Sequence, residues 1–517
     1  MPTSETSPLL QREDTPTHIQ EEEHLGSAPS RATFARNLGA LDGFALLISI
    51  VIGSGIFSSP GPVDANVPSP GAGLIIWLLG GILAWTGALT MAELGTAFPG
   101  EGGIQPYLTY IYGEVFGYMA AWSWIVATMP ATLAILSIVF VESIYSSLGI
   151  NEPDPPLTHK LLSLLVLVVV TTLNSISTRT STRLSSFFVA IKLLTILLLI
   201  VAGLIVVFVF LGGDEDLGGN DWHKHNWFAP RDTVLPNGDR FDWTRVTAWE
   251  SLGFYSTALY GALWAYSGWD KANYVAAELR DPSRQLPLSI NTAIPTIILC
   301  YVSANAVYYV LLPWNVVSTT DAAAVTAVTH FLGKGVAYLA TGLICLVIAG
   351  SALGNSFVAG RMTVAAANNS WIPRVLGTVG QIGYLKVSSS RDAHDSSVDE
   401  AMDKGESPIN ALVLNTVLSA FYILLGNMRI LLTLNGLAEY AFFFFTVLGA
   451  IILRFREPNL PRPVKPFLLI PIMFAVISGF VVIRGAVFAP MQAGVLLCIW
   501  SVGVILYYLR LWTAKRR

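Results

Sequence analysis

Long apolar stretches separated by short polar segments fill the chain from residue 41 to residue 511. Twelve of them are long enough to cross a membrane, because a bilayer core needs about 20 mostly apolar residues in a helix. The pattern therefore predicts an all-α polytopic membrane protein with twelve transmembrane helices. By residue number, the helices are predicted at 41–60, 71–97, 113–147, 161–178, 182–211, 250–279, 287–312, 335–367, 408–425, 430–454, 467–489 and 491–511.

Composition excludes most other classes of protein. Only 12% of the 517 residues are charged, against about 25% in soluble domains, and the net charge of −4 offers no basic surface to a nucleic acid. A soluble multidomain enzyme, a disordered protein and a nucleic-acid binder are thus excluded, and membrane lipid is the expected surrounding. Three cysteines in apolar runs cannot form a disulfide framework; they are Cys300, Cys345 and Cys498.

The distribution of Lys and Arg predicts the orientation in the membrane. An even number of helices puts both termini on one side, and the segments on that side hold more than twice as many basic residues as the others. By the positive-inside rule, both tails are therefore cytosolic. The outer loop 212–249 contains several tryptophans, among them Trp222, Trp227 and Trp243, which predicts a folded cap. The Ser- and Asp-rich stretch 388–406 of the inner loop 373–407 predicts flexibility.

The first predicted helix contains Gly53-Ser54-Gly55 near its middle, followed by Pro60 and Pro62. Two interpretations are open, since small residues also allow close packing between membrane helices. The alternative is a discontinuous helix, in which the freed N–H groups of the second half carry partial positive charge and hold a carboxylate.

A second break is predicted in the sixth helix, where Ser267-Gly268 interrupts an aromatic-rich run and Asp270 follows. The freed carbonyls of Trp264, Ala265 and Ser267 are suited to accept hydrogen bonds from an ammonium group. Breaks in helices one and six are what two five-helix repeats of opposite topology place in matching positions. The pair of breaks therefore favours a transporter, although the two halves share no sequence similarity visible by eye.

Four stretches of the chain together resemble the amino acid–polyamine–organocation superfamily, and in particular its L-type amino acid transporter branch. They occur in the expected order over most of residues 41–490. The overall pattern resembles fungal members, including methionine permeases. The four stretches are Gly53–Phe57, Ala92–Thr96 with Gly102, Gly103 and Tyr107, Leu263–Asp270 with Glu278 and Pro282–Pro287, and Leu460–Lys465.

The resemblance implies a LeuT-like 5+5 inverted repeat with broken helices 1 and 6. It divides the chain into a disordered cytosolic tail (1–40), a ten-helix transport core (41–454), two peripheral helices (467–511) and a short cytosolic tail (512–517). It also implies where a free amino acid binds. The carboxylate would meet the amides of Ser54, Gly55 and Ile56, and the ammonium would meet the carbonyls of Val51, Trp264, Ala265 and Ser267.

Two departures from the L-type pattern carry expectations of their own. Animal light chains have a cysteine in the loop between helices three and four that bonds a heavy-chain glycoprotein, and residues 151–159 contain none. No disulfide-linked heavy chain is therefore expected. Trp264 stands where many members have Phe, and this bulkier residue puts the range of substrate sizes in question.

Lys192 is the most unusual charge within a predicted helix, since it lies ten residues into helix five. One interpretation is that its side chain reaches the headgroups. The resemblance favours another, in which Lys192 stands where sodium-coupled relatives bind an ion, so that its charge or its proton replaces the cation. Burial disfavours the charged form of an amine, which suits proton coupling.

Other polar residues within the predicted helices have two open interpretations each. Glu439 aligns with a pocket Asn of some L-type members, so it either lines the substrate site, where it is a candidate substrate-binding residue, or lies outside it. Asp270 either caps the broken helix or pairs with Lys271, and Tyr266 either packs or gates the pocket. Glu93 ends helix two, where it is either an interfacial carboxylate or part of the transport machinery.

The sequence therefore predicts a secondary transporter of neutral, large amino acids, working by alternating access as a proton symporter or as an exchanger. The alternatives are a sensor of the same fold that does not transport, and a polytopic membrane enzyme. No zinc motif and no paired intramembrane aspartates are present, so neither an enzyme nor a cofactor is expected. The tail sequence Glu5–Leu10 is an acidic dileucine pattern that would bind a sorting adaptor, which adds a vacuolar or lysosomal membrane to the plasma membrane as an address.

Overall fold

A computed structural model describes residues 39–98, 103–150, 157–176, 178–213, 218–235, 237–271, 279–378 and 407–515. The predicted tail up to residue 38, the sorting sequence Glu5–Leu10 and most of the inner loop 373–407 lie outside the described residues. The side that carries residues 218–247 is called the outer side below, following the prediction from charge.

The described chain is almost entirely helical, and each of the twelve predicted membrane segments coincides with a helix or with a broken pair of helices. The helices are α1 (Ala40–Val51), α2 (Gly55–Ser58), α3 (Pro60–Asp64), α4 (Pro70–Ala97), α5 (Ile104–Tyr112), α6 (Glu114–Ser123), α7 (Met129–Leu148), α8 (Leu157–Ile176), α9 (Thr178–Leu211), α10 (Asp221–Lys224), α11 (Ala248–Ala265), α12 (Pro282–Leu311), α13 (Trp314–Val317), α14 (Ala323–Asn368), α15 (Ile409–Leu425), α16 (Met428–Arg456), α17 (Leu469–Phe488) and α18 (Pro490–Lys515).

Several membrane helices begin at their outer ends with side-chain caps that the sequence dictates. Ser69 caps α4 by accepting a hydrogen bond from the amide of Ala72, and a proline follows it at the first helical position. Thr247 and Glu250 form a reciprocal capping box at the start of α11. Such caps satisfy N–H groups that the first turn of a helix leaves free, so they fix where these helices enter the membrane.

The first and the sixth membrane helices are both broken, as the sequence predicted. Helix α1 ends at Val51 and α2 begins at Gly55. Helix α11 ends at Ala265 and is followed by a short 3-10 turn, Trp269–Lys271. Gly268 lies between them at a φ of 107°, a conformation that favours glycine because it has no Cβ.

The membrane helices pack in two groups of four. Helices one, two, six and seven, which are α1, α4, α11 and α12, pack against one another. Helices three, four, eight and nine, which are α7, α8, α14 and α15, form the other group. Within each group the members pair off with an offset of five in chain order, which is the arrangement that two five-helix repeats produce.

The outer surface of the helices is apolar where a bilayer would surround it. Among the described residues, nine helices are long and apolar enough to cross a membrane, and Ile409–Leu425 is a shorter apolar helix. Large aliphatic side chains on α8 and α9 are half exposed, such as Leu165 at 58% and Leu197 at 57%. Exposed apolar surface of this extent is what lipid covers, so the protein is an integral membrane protein.

Residues 218–247, called the outer cap below, are folded, as their tryptophans predicted. The outer cap contains α10, the antiparallel pair β1 (Thr233–Val234) and β2 (Arg240–Phe241), and a 3-10 turn, Trp243–Arg245. The indole of Trp243 is buried and donates a hydrogen bond to the Thr233 hydroxyl at 2.8 Å. The cap therefore has a small polar and aromatic core of its own.

Candidate functional site

The two broken helices cross in direct contact at Gly55. A Cβ atom placed on this glycine would lie only 2.4 Å from the Cα atom of Ala265, so no other residue fits without moving the backbone. A Cβ atom on Gly268 would likewise lie 2.6 Å from Cγ2 of Ile50. Glycines in both broken helices thus allow the unpaired backbone of helix one to pack against that of helix six.

A cavity lies beside this crossing and extends between the two groups of helices. It has about 340 Å³ of empty space, part of which is open to solvent. Helices one and six contribute one wall, and helices three and eight contribute the other. Its lining consists of Ile50, Val51, Gly53, Ser54, Gly55, Thr132, Leu136, Trp264, Ala265, Ser267, Lys271, Ser351 and Asn355.

The amides at the start of α2 are available to a ligand in the cavity. The amide of Ile52 still bonds to the carbonyl of Ile48, and backbone bonding resumes at Phe57. Between them, no described residue accepts a hydrogen bond from the N–H groups of Ser54, Gly55 or Ile56. Unpaired N–H groups at a helix start form a local anion site, which suits the predicted carboxylate position.

The carbonyls opposite those amides are held by a tyrosine that sequence reasoning missed. The hydroxyl of Tyr301 in α12 lies 2.9 Å from the carbonyl oxygen of Val51 and 3.1 Å from that of Ala265. The hydroxyl has one proton and donates it to one carbonyl at a time. The two carbonyl oxygens can therefore still accept hydrogen bonds from an ammonium group. Tyr308, seven residues further along the same helix, donates to the carbonyl of Ile56 at 3.1 Å.

Lys192 lies behind the first break and not in the cavity lining. The residue is only 1% exposed, and its ammonium donates a hydrogen bond to the hydroxyl of Ser351 at 3.1 Å. Ser351 itself lines the cavity, and its hydroxyl lies 3.3 Å from a Cβ atom placed on Gly53. Lys192 therefore contacts the break of helix one through α14, in a protein interior and not at the headgroups.

Glu439 and Asp270 lie behind the second break. Glu439 is 2% exposed and accepts a hydrogen bond from the Ser267 hydroxyl at 3.3 Å. Asp270 is equally buried and lies within electrostatic range of Lys271 and Glu439. Both acids therefore lie outside the cavity lining, and Glu439 contacts it through the Ser267 hydroxyl. The sequence had included Glu439 among the candidate lining residues.

The lining contains most of the predicted substrate residues, namely Val51, Ser54, Gly55, Trp264, Ala265 and Ser267. Ile56, Glu439, Lys192, Asp270 and Tyr266 lie outside it. Tyr266 is fully buried, with its ring 4.8 Å from that of Tyr301 and 6.2 Å from that of Trp77. It therefore packs between the second, sixth and seventh helices.

Lys271 is a lining residue that the sequence did not assign to the site, since it was considered a partner of Asp270. The residue is 4% exposed and lines the cavity. The sequence carried one signal, since Lys271 directly follows an acid inside a helix break. The contributions of α7 and α14, which are Thr132, Leu136, Ser351 and Asn355, carried no signal because they are distant in the chain.

A family model described as "Amino acid permease" matches residues 38–509, nearly the whole membrane region. The chain belongs to the amino acid permease family.

Curated relatives of this permease agree with that assignment. The chain is 30% identical over 511 residues to a rat (Rattus norvegicus) protein named b(0,+)-type amino acid transporter 1, covering 98% of this chain and 93% of the relative. It is 28% identical to the mouse (Mus musculus) Asc-type amino acid transporter 1, with coverages of 94% and 84%. It is also 28% identical to the human (Homo sapiens) large neutral amino acids transporter small subunit 2, with coverages of 94% and 82%.

The permease has a second buried polar cluster at the outer end of the first helix, called the outer clamp below. Asp64 of α3 is fully buried, and its carboxylate accepts hydrogen bonds from Arg231 of the outer cap and from the Tyr309 hydroxyl, all at 2.7 Å. The Arg231 amide also donates to the carbonyl of Pro68 at 2.9 Å. The outer clamp thus ties the outer half of helix one to the cap and to helix seven.

A third cluster lies at the inner end of helix two. The buried carboxylate of Glu93 accepts a hydrogen bond from Nε of Arg454 at 3.0 Å and forms an ion pair with Arg462 at 3.2 Å. Arg462 also donates to the carbonyl of Leu453 at 2.9 Å. Of the two interpretations of Glu93, the contacts agree with a carboxylate that joins helix two to helix ten and to the following loop.

Proposed function

We propose that this permease moves neutral amino acids across a membrane by alternating access. The observation that carries the proposal is the crossing of two broken helices at Gly55 and Ala265, beside a cavity that both helix groups line. The curated relatives named above are amino acid transporters, and a membrane enzyme has no support among them.

The proposed binding mode uses backbone groups for the part that all amino acids share. The substrate carboxylate accepts hydrogen bonds from the amides of Ser54, Gly55 and Ile56. Its ammonium donates to carbonyls of Val51, Trp264, Ala265 and Ser267. Because these are main-chain groups, the site recognises any α-amino acid of suitable size, and the remaining lining selects the side chain.

The proposed motion follows from the position of the cavity between the two helix groups. Rocking the group of helices one, two, six and seven against the group of three, four, eight and nine opens the cavity first to one side and then to the other. In this mechanism Lys192, Asp270 and Tyr266 act as coupling or gating residues. The contact of Lys192 with Ser351 supports such a role, since it joins helix five to the wall beside the first break.

Uptake by proteoliposomes tests the proposal most directly. Purified permease is reconstituted, and radiolabelled leucine and glutamine uptake is measured with and without an inward proton gradient and with and without internal amino acid. Stimulation by the gradient identifies a symporter, and stimulation by internal amino acid identifies an exchanger. Binding without uptake or exchange contradicts a transporter and supports the sensor of the same fold.

The permease is proposed to reside in the plasma membrane, with a vacuolar or lysosomal membrane as the alternative location. If a sorting adaptor binds Glu5–Leu10 and directs the protein to the vacuole or lysosome, replacing Leu9 and Leu10 by alanine should redirect a tagged protein to the cell surface. No disulfide-linked heavy chain is proposed, since residues 151–159 contain no cysteine. Non-reducing electrophoresis of the native membrane protein tests this, and a reducible larger band contradicts it.

A further inference from the structure

The part of the cavity lining not assigned to the substrate's α-groups is largely polar. It contains four polar side chains and two aliphatic ones beside a glycine, namely Thr132, Lys271, Ser351 and Asn355, then Ile50 and Leu136, and Gly53. An apolar substrate side chain entering here would remove water from polar groups without replacing its hydrogen bonds, which is unfavourable.

Lys271 presents donors to this part of the cavity. Its ammonium donates one hydrogen bond, at 2.6 Å, to Oδ1 of Asn355. The amide of Asn355 is itself fixed by a hydrogen bond from Nδ2 to the carbonyl of Ser351 at 2.9 Å. An ammonium has three N–H donors, and among the described residues one hydrogen bond from it is accepted, by Asn355.

Two acids lie near Lys271. Asp270 and Glu439 are within electrostatic range of it but outside the cavity lining. Lys271 is therefore the charged group that a substrate side chain meets in the lining itself. A cationic side chain would be placed next to a like charge in a buried site, where repulsion is strong, and an anionic side chain would be opposed by the two nearby acids.

Thr132 offers a second polar atom across the cavity. It lies on α7, in the other helix group, and is partly buried. Its hydroxyl has no hydrogen-bond partner among the described residues, whereas hydroxyls such as those of Ser137 and Thr195 bond to a carbonyl one turn earlier. A hydroxyl both donates and accepts. The two walls together thus provide donors from Lys271 and an acceptor from Thr132.

We propose that Lys271 and Thr132 form a side-chain subsite for neutral, hydrogen-bonding amino acids with a carboxamide, such as glutamine and asparagine, and that Lys271 excludes cationic ones. A carboxamide accepts through its oxygen and donates through its nitrogen, so it satisfies both walls at once. The inference rests on the proposed function, because it takes the α-groups of the substrate to be bound at the helix breaks.

The test measures binding by the full-length protein in detergent, separately from transport. Thermal stabilisation is titrated with glutamine, methionine and glutamate, which have similar lengths and differ in side-chain chemistry, and with the longer, cationic arginine. Three variants are compared with the unchanged protein. Lys271→Met removes charge and donors, Lys271→Gln keeps a donor without the charge, and Lys334→Met removes an exposed lysine outside the cavity as the matched control.

The unchanged protein and Lys334→Met are expected to bind glutamine about tenfold more tightly than methionine, the size of one good hydrogen bond, and to show no stabilisation by arginine. Lys271→Met should lose the preference for glutamine, Lys271→Gln should keep it, and both should gain binding of arginine. A preference for glutamine that Lys271→Met leaves unchanged overturns the inference, and so does tighter binding of glutamate or arginine than of glutamine by the unchanged protein.

Failure of the proposed function has a different outcome. Selective binding of glutamine that depends on Lys271, without uptake or exchange in proteoliposomes, supports the subsite and contradicts a transporter. Uptake of leucine and methionine at the same rate as glutamine, in the unchanged protein and in Lys271→Met alike, supports a transporter and overturns the subsite.

Discussion

The break between α1 and α2 and the outer clamp are two buried polar regions on the same broken helix, and they differ in how their polar groups are paired. At the clamp, both carboxylate oxygens of Asp64 accept hydrogen bonds from Arg231 or Tyr309, although Nε and Nη1 of Arg231 have no partner among the described residues. At the break, about ten residues earlier, the amides of Ser54, Gly55 and Ile56 and the hydroxyl of Ser54 have no partner among the described residues.

Whether a buried polar group has a hydrogen-bond partner within the protein is a physical criterion that helps to distinguish a structural role from a binding role. A buried polar group without a partner costs free energy, and proteins keep few of them. Where the partner is present, as for Asp64, the cluster stabilises the fold and joins the outer cap to helix one. Where it is absent, as for Ser54, a ligand is expected to supply it. The same criterion distinguishes Glu93, which is paired, from Lys271, whose three N–H donors have one acceptor among the described residues.

Replacing Gly55 by alanine is expected to have the largest effect, because it attacks the crossing that creates the break. The added Cβ atom would lie 2.4 Å from the Cα atom of Ala265, so the two helices must separate. We expect amino acid uptake to be abolished. The matched control is Gly342→Ala, since a Cβ atom on Gly342 in α14 meets nothing within 4 Å. Full uptake by Gly55→Ala would show that the crossing is not the site.

Breaking the outer clamp is expected to lower stability more than any single change at the break. Arg231→Met leaves the buried carboxylate of Asp64 without its cation, and such losses cost about 3–5 kcal/mol. The free energy is measured from thermal unfolding in detergent. The double variant Asp64→Leu with Arg231→Met should recover much of the loss, because it leaves no charge unpaired. Equal instability of the single and double variants would refute this account of the clamp.

The sequence predicted the fold well because its signals are local. Apolar length defines the membrane helices, and the glycines at 53, 55 and 268 mark the breaks without any knowledge of neighbours. Lys192 was singled out for the same reason, since it lies within an apolar run, although the sequence left open whether its side chain reaches the headgroups. Each of these predictions depends on residues within one helix.

The polar contacts between helices could not be predicted in the same way. Tyr301 lies in a helix of ordinary sequence, and only the fold brings its hydroxyl to the carbonyls of Val51 and Ala265. The pairing of Asp64 with Arg231 joins residues 167 positions apart. Lys271 was not assigned to the cavity because nothing in its local sequence says which neighbouring helices it faces. Contacts distant in sequence require the packed structure.

Tyr301→Phe tests whether the carbonyl side of the break is preorganised. Removing the hydroxyl leaves the carbonyls of Val51 and Ala265 without the group that holds them together, and a hydrogen bond of this kind contributes about 0.5–1.5 kcal/mol. We expect the affinity for a neutral amino acid to fall by about threefold to tenfold, measured by ligand titration of thermal stability.

Tyr308→Phe is the matched control for that change. Its hydroxyl bonds to the carbonyl of Ile56, which is not among the groups proposed for the ammonium, so it should cost similar stability and leave affinity nearly unchanged. Tighter binding by Tyr301→Phe would mean that the hydroxyl competes with the substrate instead of positioning its acceptors.

Ser54→Ala should have the smallest effect and should distinguish the two regions most sharply. The hydroxyl of Ser54 is buried and has no described partner, so its removal should change stability by no more than about 0.5 kcal/mol, the range of changes that disturb no paired group. If the hydroxyl serves the substrate, affinity should nevertheless fall by about threefold, the value of a weak hydrogen bond.

Ser58, one turn after Ser54, provides the opposite case. Its hydroxyl is paired, since it donates to the carbonyl of Ser54 at 3.1 Å, and it does not line the cavity. Ser58→Ala should therefore lower the unfolding temperature and leave affinity unchanged. The two serines then show reciprocal effects on stability and binding. If Ser54→Ala destabilises the protein as much as Ser58→Ala does and leaves affinity intact, an unpaired polar group at the break is no guide to the binding site.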